Sequence, residues 1–583
     1  MPLRSMTPWQ RPVFCTVLAG AALAWLVLSG HRLLLTGDES RYLLYADAMI
    51  HHGRLILDLP EWSVLSHQSA LPVGGSGLVM NSVYVPVLLS PVAGLFGLPG
   101  LRFMSLGAGL WGLRCLYRLV RAATGRGWLG ASAVGQAGFT LPLLPYLHLF
   151  YMESFVFALV CWGWWRVQDA GRTLRADLLT GLVLVAIPFV HMRGSVVAAL
   201  LFLLLLHRNR TVQLRWRAAA LAAIAAGFGM VFVALNIRIY GSTTGPVNTA
   251  RPPLPWEWFD VLAMQLSNTR HGLLVYTPVW IVGYAGLWLS LRRTVGSADT
   301  TIPRQALVLG VAAALTGVGV NPGECWPARF WVLSVPMLSV GLAVWWRSVR
   351  SPLPRALALL LAAIGFVNAR LFFRDGNAFL LSRQFNNTYQ WLFDRYGLID
   401  LSLILPVEVG DRVDTLNAAL WAMAGLTVLI SFVASARRGI WAIPAVTVFL
   451  GIGDLAHVQR VPDDDVHLAA DDHRVAVALA HPIEAGFFRL GPGVEPVFSE
   501  PSWRRYDFVV QSVSGSSFGT GVAASHVLAW QCRSAVSGWS IKAVSGAGLD
   551  KEALVAAVYR SRSVLIFLME RFGANGCRGM RQR

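Results

Sequence analysis

Lysine is almost missing from this chain: of 49 basic residues only Lys542 and Lys551 are lysines, and both lie near its end. Charge of either sign is scarce, at 14% of residues, against 55% hydrophobic residues, 23 tryptophans and a mean hydropathy of +0.54. A soluble core of this length needs no such apolar excess. The formal charge of +18 does not make a nucleic-acid surface, because the arginines are gathered between apolar runs instead of along one face. The six cysteines form no CxxC, and the chain has no HExxH, no P-loop and no GxSxG elbow with partners. Cys15, Cys115 and Cys161 read as packing residues. Cys325, Cys532 and Cys577 fall on the oxidising side and leave a Cys532 to Cys577 bridge open but unforced. The polar connections between apolar runs are too short to hold a nucleotide-binding domain, which argues against an ATP-driven pump.

What is abundant is long apolar sequence punctuated by arginine. Clusters at Arg4 and Arg11, at Arg118, Arg121 and Arg126, at Arg166, Arg172 and Arg175, and at Arg208, Arg210, Arg215 and Arg217 recur at every second connection. The pattern continues at Arg292, Arg293 and Arg304, at Arg347, Arg350 and Arg355, and at Arg437 and Arg438. Short basic connections stay in the cytoplasm. The runs between them give spans at residues 13–35, 101–120, 128–147, 151–167, 174–191, 194–207, 216–238, 275–291, 305–320, 330–346, 355–372, 415–434 and 439–457. That is about thirteen helices at ~20 residues for a straight crossing. The expected fold is an all-α polytopic membrane domain over residues 1–458, followed by a small extracytoplasmic α/β domain over 459–583.

The first run is too long for a secretory signal, and residues 33–37 lack a small-x-small cleavage site, so an uncleaved anchor is expected. It places the first outer loop, residues 36–100, outside, and an odd number of crossings places the tail there as well. Within that loop, residues 84–97 are apolar but too short to cross, and read as a helix lying at the outer surface. In the tail, residues 507–514, 522–531 and 539–545 read as strands, and 551–572 as a helix.

Ionisable groups gather at the outer ends of the spans, where they are costly and therefore functional. Asp38 and Glu39 follow the first span directly, Glu153 opens the fourth, and His191 and Arg193 sit between the fifth and sixth. Arg270 with His271, and Glu324 with Arg329, repeat the arrangement later. The plainer alternatives are that Asp38 and Glu39 cap the next helix, that Arg41 pairs with Glu39 or snorkels, and that Glu153 is an interfacial acid facing water. Trp256, Trp258, Trp326 and Trp331 are explained more simply by an aromatic belt than by sugar stacking.

In order and sidedness, several segments resemble the bacterial GT-C glycosyltransferases that use a polyprenyl-phosphate-linked sugar, such as aminoarabinose transferases and protein O-mannosyltransferases. They are Gly37-Asp38-Glu39-Ser40-Arg41-Tyr42-Leu43, the proline-containing residues 85–91, Tyr151-Met152-Glu153, His191-Met192-Arg193, Tyr240-Gly241, Gly272-Leu273-Leu274 with residues 276–278, and residues 323–329 ahead of Pro336. The resemblance covers residues 10–350. It departs at Met80-Asn81-Ser82, where relatives often carry His and Pro-Gly, and in the lack of lysine in the first loop, which leaves phosphate recognition to arginine.

The resemblance implies transfer of a sugar from a polyprenyl-phosphate donor to a cell-envelope acceptor, at the outer face of a bacterial inner membrane, by a multi-pass protein with a cytoplasmic N-terminus. Asp38 is the expected base and Glu39 its orienting partner. Arg41, Glu153, His191, Arg193, Arg270, His271, Glu324 and Arg329 are the expected substrate-binding residues. Some relatives use a divalent cation. Here the adjacent acids point apart and lack a DxD, and Asp463-Asp464-Asp465 reads as a solvated spacer, so no metal, no other cofactor and no nucleic acid is expected. A flippase or transporter for lipid-linked glycans would spread charge through the midplane and show an inverted repeat. An O-antigen ligase would use outer His and Arg with a diphosphate donor; the acid after the first span favours the monophosphate class.

Overall fold

The computed structural model describes residues 38–53, 82–169, 173–209, 215–243, 245, 258–267, 272–291, 301–317, 328–374, 425–426, 428–430, 432–433 and the strands between 458 and 561. The chain divides into two units. One comprises Met1–Trp258, Tyr276–Leu380 and Phe432–Gly439; the other comprises Phe259–Val275, Leu381–Ser431 and Ile440–Arg583. The expected spans at 13–35 and 439–457, and nearly all of 415–434, lie outside the described residues.

The first unit is helical. Its helices are α1 (Asp38–His52), α2 (Tyr84–Leu88), α3 (Ser90–Thr124), α4 (Gly127–Gly138), α5 (Leu143–His148), α6 (Met152–Gln168), α7 (Leu174–Val190), α8 (Gly194–Arg208) and α9 (Arg215–Tyr240). The next two helices, α10 (Trp258–Ser267) and α11 (Leu273–Tyr276), belong to the second unit except for Trp258 and Tyr276, and the first unit resumes with α12 (Trp280–Leu291), α13 (Thr301–Gly317), a 3-10 turn at Arg329–Ser334, α14 (Val335–Ser348) and α15 (Pro352–Arg374). By length and composition, four helices can cross a membrane: Ser90–Thr124, Arg215–Tyr240, Arg329–Ser348 and Pro352–Ala369. Shorter apolar helices, among them α8 and α12, lie between these. On α9 only 6% of the most apolar window is buried, and Met230, Val231 and Ile237 are exposed. Such an apolar surface is suited to lipid, not water.

Helix ends follow local chemistry. Thr173 caps α7 by accepting from the Ala176 N–H at 3.3 Å, and α3 ends on Gly125 in the left-handed region, its N–H donating to the Arg121 carbonyl at 2.8 Å. The apolar stretch 84–97 forms α2 and the start of α3. At Gly97 the backbone turns to φ 61°, ψ −156°, and Pro99 follows, so this stretch bends away from the rest of α3. The turn depends on a residue free to take positive φ.

Two expected spans are interrupted. Residues 128–147 divide into α4 and α5 around Pro142, and 275–291 divide into α11 and α12 around Pro278, because proline supplies no N–H and clashes with the preceding turn. The Thr277 hydroxyl donates to the Leu141 carbonyl at 2.6 Å and the Trp280 indole to the same oxygen at 3.4 Å. The Asn368 amide donates to the Tyr276 carbonyl at 2.8 Å. Side chains thus restore bonds that broken helices would otherwise leave unmade in an apolar interior.

In the second unit the described tail residues form one antiparallel sheet of β1 (Val458–Arg460), β2 (Val466–Ala470), β3 (Arg474–Leu490), β4 (Tyr506–Ser512), β5 (Ser517–Thr520), β6 (Val527–Ala543) and β7 (Val555–Ser561), in the order β1-β7-β3-β6-β4-β5, with β2 also paired to β3. The helix expected over 551–572 is corrected at its described residues. Where the sequence pattern predicts a helix over 551–572, residues 555–561 are a strand paired with β1 and β3. The run Val555 to Tyr559 carries apolar residues that serve a strand as well as a helix, and pairing decides between them.

Candidate functional site

Asp38 and Glu39 open α1, where their charge complements the helix dipole. Glu39 is fully buried and both its oxygens are engaged: Arg102 of α3 grips it with Nε at 2.8 Å and Nη2 at 2.7 Å, and the Phe150 N–H donates to Oε1 at 2.8 Å. Phe150 leads through extended Tyr151 into α6, whose first turn carries Glu153. His191 ends α7 in extended backbone, and Arg193 precedes α8. Arg329 opens the 3-10 turn directly after Ala328, a non-glycine residue at φ 58°, ψ 22°. That left-handed backbone costs an alanine about 1–2 kcal/mol and fixes how Arg329 enters the site.

These ends converge on Arg329. Its Nη2 lies 2.5 Å from Asp38 Oδ2, its Nε donates to Glu153 Oε1, and its guanidinium stands 5.0 Å from the Tyr151 ring centre. Arg41, one turn along α1, approaches Asp38 Oδ1 with Nη1 at 3.6 Å. His191 Nδ1 accepts the Arg193 backbone N–H at 3.2 Å, so a neutral ring carries its proton on Nε2, facing Glu153 Oε1 at 3.8 Å. Arg193 stacks over the Phe330 ring at 3.8 Å. Tyr42, buried on α1, packs edge-on to Phe150 and Tyr151. Burial, and then the charges of Asp38 and Glu153, push its phenol well above its ordinary range, so it serves as a neutral wall.

A cavity opens beside this network. Glu153, His191, Arg193 and Arg329 give it a charged side, and Val156, Phe330 and Leu333 an apolar one. Two buried atoms at the site have no hydrogen-bond partner among the described residues: the acceptor Glu153 Oε2 and the donor Arg41 Nε. Glu153 is 6% exposed, so leaving its oxygen unmatched costs about 1–3 kcal/mol, a cost that a ligand with a donor group would remove.

The structure therefore brings together Asp38, Arg41, Glu153, His191, Arg193 and Arg329. Glu39 lies beside them in a separate pair, and Arg270, His271 and Glu324 lie outside the described residues. Sequence reasoning missed Arg102 and the Phe330 ring, and named Tyr151 only as part of the segment around Glu153. Arg102 carried a signal: it stands at the outer start of the second span, while the arginines used to set the topology stand at inner ends. Among the described residues no group of three or more His, Cys, Asp or Glu could hold a metal ion.

The architecture with which these features come is a helical bundle carrying an ionic site at the shared ends of its helices. No family model matches the chain, and no curated protein matches it. Among solved structures it is similar to ArnT from Cupriavidus metallidurans in the apo state, at 15% identity and a TM-score of 0.43, with 75% of each chain covered. It is similar to the same protein bound to undecaprenyl phosphate at 16% identity and a TM-score of 0.39. A third similarity is to the apo oligosaccharyltransferase of Archaeoglobus fulgidus, at 13% identity and a TM-score of 0.38, covering 66% of this chain and 58% of that one.

Proposed function

We propose that this protein is a membrane glycosyltransferase that moves a sugar from a polyprenyl-phosphate donor to a cell-envelope acceptor at the extracytoplasmic face. The observation that carries the reading is the pair of unmatched groups joined through Asp38 and Arg329. The Arg41 donor suits a phosphate, the Glu153 acceptor suits a sugar hydroxyl, and the cavity that Glu153 and Arg329 line has one polar and one apolar side. A ligand that is acceptor-rich, donor-rich and apolar in three adjoining parts is a lipid-linked sugar phosphate.

In this reading Asp38 removes the acceptor's proton as the acceptor oxygen attacks the anomeric carbon. The bond from that carbon to the phosphate oxygen breaks, and its electron pair leaves with the polyprenyl phosphate. Arg329, Arg41 and Arg193 stabilise the charge on the leaving phosphate. Phosphate entering beside Arg329 competes with Asp38 for the guanidinium and leaves the carboxylate more basic. Glu153 binds a sugar hydroxyl through Oε2, and His191 holds Glu153 in place. Glu39 keeps α1 in position. Arg270, His271 and Glu324 are assigned to the outer rim.

We propose that no divalent cation is required, because the Arg329 guanidinium already stands between Asp38 and Glu153, where a cation would bridge them. Transfer should persist at full rate in excess EDTA; loss restored by magnesium or manganese would reject this. The function itself is tested by mass spectrometry of envelope glycans and lipids in a deletion strain. The expected result is one missing sugar modification, together with accumulation of a polyprenyl-phosphate-linked sugar. Unchanged glycans, with a lipid-linked oligosaccharide held on the cytoplasmic side, would favour a flippase.

A further inference from the structure

We infer that Arg102 is a positioning residue for the proposed transfer, acting through Glu39 to hold the Asp38 carboxylate at the reacting centre. The inference rests on the glycosyltransferase reading and adds a residue that touches neither donor nor acceptor. Arg102 lies on α3, and its nearest bond to the site passes through a carboxylate adjacent in sequence to the proposed base.

Glu39 and Asp38 share the first turn of α1, so whatever fixes one fixes the other. Glu39 is fully buried and makes three charge-assisted bonds, two from the Arg102 fork and one from the Phe150 N–H. Phe150 is the point that matters for catalysis. It precedes Tyr151, which packs on Arg329, and lies three positions before Glu153, which grips the same guanidinium. The Arg102 to Glu39 bond thus ties α3, the start of α1 and the entrance to α6 to one point, and two of these carry the acids that hold Arg329 from opposite sides. Asp38 is the more exposed member, with 19% of its side chain open to solvent, and it stands on the same first turn of α1 that Glu39 anchors.

A planar fork locks a carboxylate in direction as well as distance. Lysine keeps the charge but forms one movable bond, so the Lys variant separates geometry from electrostatics. Displacing a catalytic group by about 1 Å costs on the order of a hundredfold in rate.

The experiment compares Arg102→Lys and Arg102→Met with wild type and with Arg114→Gln, an exposed arginine on the same helix. The full-length protein is purified in detergent. Binding is measured with undecaprenyl monophosphate, and transfer with the sugar-linked polyprenyl phosphate extracted from the deletion strain. Arg102→Lys should keep its melting temperature and its affinity for undecaprenyl monophosphate within about threefold, while kcat falls at least about tenfold with KM little changed. Arg102→Met should fall further, and Arg114→Gln should match wild type. The inference is overturned if Arg102→Lys retains wild-type kcat, or if its loss follows the melting temperature with kcat per folded molecule unchanged. Wild type that neither binds undecaprenyl monophosphate nor transfers would instead overturn the glycosyltransferase reading.

Discussion

Asp38 and Arg329 form a 2.5 Å ion pair whose members are held from opposite sides, Asp38 by Arg41 and Arg329 by Glu153, so no charge in the site is isolated. Removing one member leaves its neighbours buried and uncompensated. Asp38→Asn keeps the volume and most hydrogen bonds but removes the base; transfer should fall at least about a hundredfold while undecaprenyl monophosphate still binds. Full activity in this variant, measured with purified protein, would remove Asp38 from the chemistry. Arg329→Ala removes a phosphate donor and exposes Glu153 to an unpaired state. Its affinity for undecaprenyl monophosphate should drop at least about tenfold, and its stability by about 3 kcal/mol, whereas Arg121→Ala and Arg438→Ala should leave binding unchanged. Equal, small effects at all three positions would mean that arginine here marks topology alone.

At the scale of elements, close helix contact depends on residues without a side chain. A Cβ at Gly286 of α12 would run into the Gly341 carbonyl of α14, and one at Gly341 would meet the Gly283 carbonyl. Small residues allow this approach, and packing between helices replaces the hydrophobic drive that lipid does not supply. Gly286→Ala should therefore cost about 1–3 kcal/mol, read as a lower melting temperature in detergent. An unchanged melting temperature would mean that α12 and α14 are further apart. The interrupted helices matter in the same way. Gln136 and Asn368 on apolar helices, and Thr140 and Thr277 in the breaks between helices, are buried polar residues, and their bonds around Leu141 and Tyr276 explain why they are there.

Across the whole molecule, we propose that the arginine clusters mark which connections lie on the cytoplasmic side of a bilayer. Single cysteines at Gly125 and Gly296 should label only from the cytoplasmic side, and those at Ser66, Asn377 and Ser545 only from outside. Labelling of Ser545 only after cytoplasmic access is opened would overturn an odd number of crossings. Lipid exposure agrees with a membrane setting: α9 presents Met230, Val231 and Ile237 outward, and α15 presents Leu359, Leu360 and Phe366.

The sequence by itself determined that the chain carries long apolar helices, the places where many of the described helices run, and the helix ends at which acids and bases gather. Apolar length and arginine spacing are properties of a local stretch, and need no partner to be read. It also singled out Asp38, Glu153, His191, Arg193 and Arg329, because an ionisable residue beside an apolar run is expensive wherever the chain goes. Only the tertiary structure decided who pairs with whom. Glu39 looked like the companion of Asp38, being next to it, yet on a helix neighbouring side chains point about 100° apart, and Glu39 turned to Arg102, 63 positions away. The breaks at Pro142 and Pro278, and the strand at Val555–Ser561, were settled the same way. Which bonds a proline leaves open, and whether an apolar run pairs as a strand, depend on groups far off in sequence that meet only in the fold.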